Sequence, residues 1–400
     1  MKETINDTDR VFEIRTKSQY RILLLEDNMI SMQEHTDILH SAGYDLDYAI
    51  AGHNLLEIVH KKKFDLVLIN FTTKGIHIYD LIKKVKGSAT NEDTPIVLIT
   101  DHRNNNENML GLHISSIDFL KTPYSREELL TRINNQIKFF KSKQQLQQSK
   151  LIAQSIQYAE RIQKAITPSE SVLNDLFNDH WVINMPRDVV SGDFFWLKRK
   201  GSRTIVALAD CTGHGVPGAF LSVLGISLLN EITSQYRLES AGEILDQLRN
   251  KMKRTLLKEE STFPLTDGMD ISLIIIDSKN KSLQFAGANH KIIMTNNKKI
   301  TDLRGDLQPI GIYPVEKHYT NHEVKIEPGM RVYLTTDGYT DQFGGEHNKK
   351  LQYRRYRQLI NETCHLDLKE QKRILIAEHL KWKGINDQLD DILLMGLELK

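Results

Sequence analysis

Four stretches of the sequence put aspartate where metal chemistry could use it. Asp193 lies in Ser191-Gly-Asp-Phe-Phe-Trp196, and Asp210 closes Val206-Ala-Leu-Ala209 and opens Asp-Cys-Thr-Gly-His-Gly215. Asp337 follows Val332-Tyr-Leu-Thr-Thr336 and opens Asp-Gly-Tyr-Thr-Asp341; Asp390 and Asp391 directly precede Ile392-Leu-Leu-Met395. Burying a bare carboxylate at the end of an apolar strand is strongly unfavourable. Hard divalent cations such as Mg2+ or Mn2+ relieve that cost through oxygen ligands while keeping several waters. The neighbouring glycines let backbone come close to an ion or its waters. One Asp-Gly alone is a turn dipeptide, but several acids at strand ends in one stretch favour a metal site.

The elements that must position these acids change character along the chain. From Tyr20 to about Phe139, short apolar runs (Arg21–Glu26, Asp65–Asn70, Pro95–Thr100, Ile117–Leu120) alternate with helix-spaced segments, such as Ile38, Leu39 and Ala42 before Gly43. Continuous apolar runs of this length suit strands buried on both faces, and the alternation predicts a doubly wound parallel α/β sheet. Ser125 to Thr167 then reads as one long helix without Gly or Pro, closed by Pro168. Ile133, Ile137, Phe140, Gln144, Gln147 and Leu151 keep a four-three rhythm that Ile152, Ile156, Ala159, Ile162 and Ile166 continue. That pattern suits a coiled-coil connector and a parallel homodimer, or a single helix packed along its own domain.

Beyond Ser169, strands are expected at Thr204–Ala209, Ile271–Asp277, Ser282–Ala286, Ile292–Thr295, Arg331–Thr335 and Ile392–Leu399. Two helices are expected early, one opening at Pro217 and one at Ser240 with Glu243 as its capping box. Strands grouped apart from helices predict an α+β domain. The expected organisation is a tail over 1–19, an α/β domain over 20–139, a helical connector over 140–168 and an α+β domain over 169–400.

With 53 basic and 52 acidic residues the formal net charge is +1, which gives no footing for nucleic acid or an anionic membrane as partner. Cys211 and Cys364 are the only cysteines, too few for a disulfide framework or a four-thiolate zinc site. The first residues lack the apolar stretch of a secretory signal. The longest nearly apolar run, Ala219–Leu229, is shorter than the ~20 residues of a bilayer span. The expectation is a cytoplasmic protein without membrane or nucleic-acid partners.

Taken together, the motifs around Asp193, Asp210, Asp337 and Asp390, with Gly-Ala-Asn-His290 and Pro-Ile-Gly311, resemble the PPM (type 2C) serine/threonine phosphatases, and within them the SpoIIE-like branch. The resemblance covers about Ser169–Lys400 and implies a β-sandwich flanked by helices with two divalent cations, Mn2+ or Mg2+, at one end. It implies that Asp210 bridges both ions, that the Cys211 carbonyl and Asp193 hold them further, and that Asp337 and Asp390 complete the set, with Asp391 beside them. The activity implied is removal of phosphate from serine or threonine of another protein, such as an anti-sigma-factor antagonist, by water activated between the ions. His214 could protonate the leaving alkoxide or pack its turn, and Arg187 could clamp phosphate or lie on the surface. His290 reads as structural, and Asp267 and Asp270 read as turn residues with a weak third metal as the alternative. A non-catalytic scaffold with this fold is the rival reading; its expected mark, loss of the metal aspartates, is absent. A diguanylate cyclase is disfavoured because Phe194 stands where that turn needs a second acid.

The segment Tyr20–Phe139 resembles response-regulator receivers. Glu26 and Asp27 match the acidic pair, Thr100 the switch hydroxyl and Lys121 the pairing lysine, while Asn70 occupies the place of the phosphoacceptor aspartate. An amide is a poor nucleophile toward a phosphoryl donor, so the resemblance implies a pseudo-receiver that works by binding or by dimerising.

Overall fold

Runs of Leu, Ile and Val too short for a helix build the first sheet. The computed structural model describes residues 20–26, 28–49, 54–70, 78–101, 117–235, 240–256, 267–296 and 299–400. The chain divides into two units, Met1–Leu151 and Ile152–Lys400. In the first, β1 (Arg21–Leu25), α1 (Met29–Ser41), β2 (Asp45–Ala49), α2 (Leu55–Lys61), β3 (Leu66–Asn70), α3 (Ile78–Lys86), β4 (Ile96–Asp101) and β5 (Ile117–Thr122) follow one another. The strands form one parallel sheet in the order β2-β1-β3-β4-β5. One face packs on Leu55, Val59, Leu81 and Ile82 of α2 and α3. The other packs on Leu39 of α1 and on Leu129, Ile133 and Ile137, which belong to α4 (Arg126–Ile166). This is the expected doubly wound arrangement.

Strand β2 has no apolar run to announce it. It is an edge strand, with Asp45 exposed and Leu46, Asp47 and Tyr48 half-buried. Helix α4 is one piece of 41 residues. Its early apolar positions are buried, whereas Leu151, Ile152, Ile162 and Ile166 further along are exposed.

In the second unit, α5 (Glu170–Leu176), β6 (Asp179–Met185), β7 (Phe194–Lys200) and β8 (Arg203–Cys211) precede the helix pair α6 (Gly215–Gln235) and α7 (Ala241–Leu256). A run of strands follows: β9 (Met269–Asp277), β10 (Ser282–Ala288), β11 (Lys291–Asn296), β12 (Lys299–Arg304), β13 (His322–Lys325) and β14 (Arg331–Thr335). After the short α8 (Gly338–Asp341), β15 (Phe343–Gly344) and β16 (Lys349–Lys350), helices α9 (Gln352–Thr363) and α10 (Leu368–Lys383) lead to β17 (Ile392–Glu398).

Two antiparallel five-stranded sheets result, β13-β10-β9-β8-β7 and β12-β11-β14-β17-β6. Their inner faces meet in a core that includes Val206, Leu208, Ile274, Phe285, Val332 and Leu393. Helices α6 and α7 cover the first sheet, and α9 and α10 cover the second. Removing one such buried leucine typically costs about 2–5 kcal/mol. The segment Gly215–Ser234 of α6 is long and apolar enough to cross a membrane; here Leu221, Ile226, Leu229 and Ile232 are buried in the sheet-facing core. The capping box holds as expected: Glu243 N–H donates to Ser240 Oγ and Ser240 N–H to Glu243 Oε2, both at 3.3 Å. Helix α6 begins at Gly215 rather than Pro217, so the proline sits within the first turn, where no helical N–H is needed.

Candidate metal centre

Both sheets deliver acids to the same end of the sandwich. Strand β8 is fully buried from Val206 to Ala209 and pairs with β9 so that Asp210 faces Asp270. In the other sheet, the end of β14 lies beside the start of β17, with Thr335 opposite Leu394 and Thr336 N–H donating to the Leu393 carbonyl at 2.9 Å. That pairing carries Asp337 and Asp390 to one place. Asp210, Asp270, Asp337 and Asp390, with Gly213 and Ile312, line one open cleft of about 280 Å³. Asp193 is buried behind it, at the start of β7.

The electrostatics of this cluster are those of like charges pressed together. Burial, then the charges of Asp193, Asp337 and Asp390, push the Asp210 carboxyl up to about 10. Asp193 is driven far above the usual carboxylate range, first by burial and then by Asp391 and Asp390, against the Thr336 hydrogen bond that favours its charge. Asp337 is raised by burial, with a hydrogen bond to Asp210 opposing. Asp270 is raised by burial, and Asn289 opposes by donating to its Oδ1 at 2.8 Å. Among the described residues no lysine or arginine forms an ion pair with any of these acids.

The supports behind the acids are specific. Thr336 Oγ1 donates to Asp193 Oδ2 at 2.7 Å and accepts from Leu393 N–H at 3.0 Å. Asp391 is buried, and its two oxygens accept from the Arg187 and Gly192 N–H groups at 2.8 and 2.7 Å. It therefore fixes the Arg187–Gly192 loop, a role distinct from that of cleft-lining Asp390. A Cβ on Gly192 would fall 2.6 Å from the Gly213 carbonyl oxygen and 3.3 Å from that of Cys211, so only glycine lets the two turns meet.

The other candidates divide. His214 is half-exposed, and its Nδ1 lies 2.7 Å from Asp188 Oδ2, a partner that spacing alone did not single out. Arg187 is exposed and contributes its backbone N–H to Asp391; it does not line the cleft. The Cys211 thiol is buried and pushed up by burial and by Asp210, which leaves its backbone beside the cleft. Burial lowers the His290 imidazole to about 4, as suits a core histidine. Asp270 corrects the turn expectation: it sits inside β9, which starts at Met269, and it faces the cleft. The strand begins earlier than its apolar run because Met269 is bridged to Ile310. Asp267 is half-buried and outside the cleft lining. Thr336 and Asn289 were also missed, since hydroxyl and amide partners leave no mark in spacing.

In the first unit, Asn70 is buried and its Nδ2 donates to Glu26 Oε2 at 2.5 Å. Glu26 also accepts from Asn28 N–H at 3.1 Å and lies 3.5 Å from His35 Nδ1; His35 Nε2 in turn contacts the Tyr124 hydroxyl. Despite its burial, Glu26 is held below its ordinary range by hydrogen bonds from His35, Asn70 and Asn28. Thr100 is half-buried and Lys121 exposed, both at the strand ends expected. Asp27 lies outside the described residues.

The donor set in the second unit suits hard divalent cations: every donor is oxygen, the carboxylates repel one another, and among the described residues only the more distant Lys350 offsets Asp337. No three acidic, histidine or cysteine side chains among the described residues close on one point; the acids line a cleft. Residues 200–400 match the family Stage II sporulation protein E (SpoIIE). The chain belongs to the SpoIIE family. Residues 22–134 match the response regulator receiver domain, so this SpoIIE-family chain joins a receiver domain to a PP2C-type phosphatase domain.

The SiaA-PP2C domain of Pseudomonas aeruginosa is 30% identical, with a TM-score of 0.58 over 63% of this chain and 98% of that one. The transcriptional regulatory protein HprR of Escherichia coli (strain K12) is 27% identical over 118 residues, 30% of this chain and 52% of HprR. The transcriptional regulatory protein BaeR of Escherichia coli O6:H1 is 29% identical over 128 residues, 32% of this chain and 52% of BaeR. The chain spans about half the length of these curated relatives.

Proposed function

We propose that this SpoIIE-family protein is a cation-dependent serine/threonine protein phosphatase acting in cytoplasmic signalling under control of its receiver domain. The observation that carries this reading is the convergence of Asp210, Asp337 and Asp390 on one cleft, with Asp193 behind them and no lysine or arginine ion-paired to them among the described residues. Asp210, Asp193, Asp337, Asp390 and the Cys211 carbonyl would hold two divalent cations, Mn2+ or Mg2+. Such a pair, when bound, supplies an acidified water as nucleophile and spreads charge on the phosphoryl oxygens. The chain's own part is to orient and insulate. Thr336 fixes which Asp193 oxygen faces inward, Asp391 holds the Arg187–Gly192 loop, and Asp188 leaves His214 Nε2 free to hand a proton to the leaving alkoxide. Arg187, exposed at the same loop, is the candidate to meet incoming phosphate.

The substrate class is a phosphoserine or phosphothreonine on a regulatory protein, such as an anti-sigma-factor antagonist, in keeping with the branch resemblance. The exposed apolar positions late in α4 support a homodimer through that helix, joined by the receiver domain. Asn70 argues for a receiver that works without its own phosphorylation. The deciding experiment is hydrolysis of an aryl phosphate with and without Mn2+, beside Asp210→Asn. Metal-dependent turnover that vanishes in the variant is expected; turnover indifferent to both metal and Asp210 would sink the reading.

A further inference from the structure

Helix α4 meets the Asp193 turn through the side chain of Gln163. Gln163, three residues before the helix ends at Ile166, engages both backbone groups of Ser191. Ser191 N–H donates to Gln163 Oε1 at 3.1 Å, and Gln163 Nε2 donates to the Ser191 carbonyl at 2.6 Å. The same nitrogen donates to Ser222 Oγ of α6 at 2.9 Å. Ser222 is fully buried, and its hydroxyl donates to the Ala219 carbonyl at 2.9 Å. One amide thus joins α4, the acidic turn and the helix that follows Asp210.

The turn has four such holds. Ser191 is held by Gln163, its carbonyl also accepts from Ser222 Oγ at 3.4 Å, Gly192 N–H is held by Asp391, and Asp193 N–H by the Ser191 hydroxyl at 3.0 Å. The last three come from α6, from the residue preceding β17 and from the turn itself. Of the four, the Gln163 hold is the one that comes from α4. Beside it, Glu160, Lys164, Val189, Asp193 and Phe194 surround a void of about 60 Å³, so close packing does not duplicate the amide's grip there.

Paired N–H and C=O groups accept a fixed partner geometry, and hydrogen bonds weaken steeply when bent. Successive residues of a helix point 100° apart, so even a fraction of that rotation would pull the Gln163 amide away from Ser191. The helix has no glycine or proline from Arg126 to Ile166 to absorb such a movement.

We propose that Gln163 is a positioning residue for the metal centre, whose amide sets the Ser191–Asp193 turn according to the rotation and height of α4. This rests on the phosphatase reading and names the contact through which the helix governs the site. Gln163 touches neither substrate nor cation; it acts through Ser191.

The test uses the full chain with Gln163→Ala and with Gln163→Met, which keeps bulk but not the hydrogen bonds. Amide exchange at Ser191 and Gly192, calorimetric Mn2+ binding and the Mn2+ needed for half-maximal aryl phosphate hydrolysis are read together. Both variants should speed Ser191 exchange and weaken Mn2+ binding by roughly tenfold, as loss of two or three hydrogen bonds implies. Turnover at saturating Mn2+ and the melting temperature should stay close to wild type. Unchanged exchange and Mn2+ affinity in Gln163→Met would overturn the proposal, as would a loss confined to Gln163→Ala, which would mark a packing role. If the wild type hydrolyses nothing and binds no Mn2+, the phosphatase reading fails, while the exchange data still decide whether Gln163 holds the turn.

Discussion

Asp210 and Asp270 stand directly opposite each other on the antiparallel strands β8 and β9. Like charges in a cross-strand pair are destabilising, so this pairing opposes folding unless a cation or a shared proton relieves it. Asp270→Asn should raise stability in chelator by about 0.2–1 kcal/mol while increasing the Mn2+ needed for activity. Melting curves in chelator and Mn2+ activation curves check both halves, and a variant less stable than wild type in chelator would refute the account.

The acid cluster also predicts the direction of pH dependence. Asp193, Asp210, Asp270 and Asp337 are all raised in the folded chain. Between the unfolded carboxylate range, about 4, and the raised folded values, the native state keeps protons that the unfolded state releases. Stability in chelator should therefore fall as pH climbs from about 5 through 8. Asp210→Asn should flatten that slope. Saturating Mn2+ binds the native state and should restore more stability at pH 8 than at pH 6, read as melting temperature against pH.

Thr336 is the clearest support to remove. Thr336→Val deletes the donor to Asp193 and leaves Leu393 N–H without its hydroxyl acceptor. Loss of a partner behind a metal ligand costs on the order of 10–100-fold in affinity or activity, and a buried N–H left unmet costs about 1–3 kcal/mol. Calorimetric Mn2+ binding and urea unfolding separate the two effects.

The His214–Asp188 pair predicts dependence on the leaving group. General acid help contributes typically 10²–10⁴-fold, so His214→Gln should slow hydrolysis of a phosphoserine peptide by about a hundredfold. A nitrophenyl phosphate, whose leaving group needs no proton, should change only a few-fold. Asp188→Asn should move rates the same way by less. Equal losses on both substrates would assign the pair a structural role.

In the receiver domain, wild-type chain incubated with acetyl phosphate should take up no phosphoryl group at residue 70. Asn70→Asp replaces the 2.5 Å amide contact to Glu26 with two facing carboxylates. It should lower the melting temperature in chelator and recover on Mg2+ addition, with phosphorylation followed by intact mass.

How much of this was legible depended on what each element shows on one strand of text. The parallel sheet announced itself because β1, β3 and β4 are buried on both faces and are almost wholly apolar. Edge strand β2 did not, since it is only half-buried and carries Asp45 and Asp47 among its apolar residues. Strand β12 was hidden likewise by Lys299, Asp302 and Arg304, and α10 by the buried Gln371 and His379 in its core-facing stripe. The acids of the cleft were readable because aspartate at the end of a buried strand is costly. Asp270 escaped because its strand starts two residues before its apolar run. Gln163, Thr336 and Asp188 act through hydrogen bonds to residues 26 to 143 positions away, and only folding brings those partners together.

The buried carboxylate of Asp391 constrains what this position can become. Each oxygen receives a separate backbone N–H, so an asparagine would turn its NH2 toward one of those donors and push it away. Two adjacent letters of the same amino acid thus answer to opposite demands. Asp390 is tuned by whatever arrives from solvent, whereas its neighbour is tuned by the shape of a loop some two hundred residues earlier, and drift at the second should be tolerated only when that loop drifts with it.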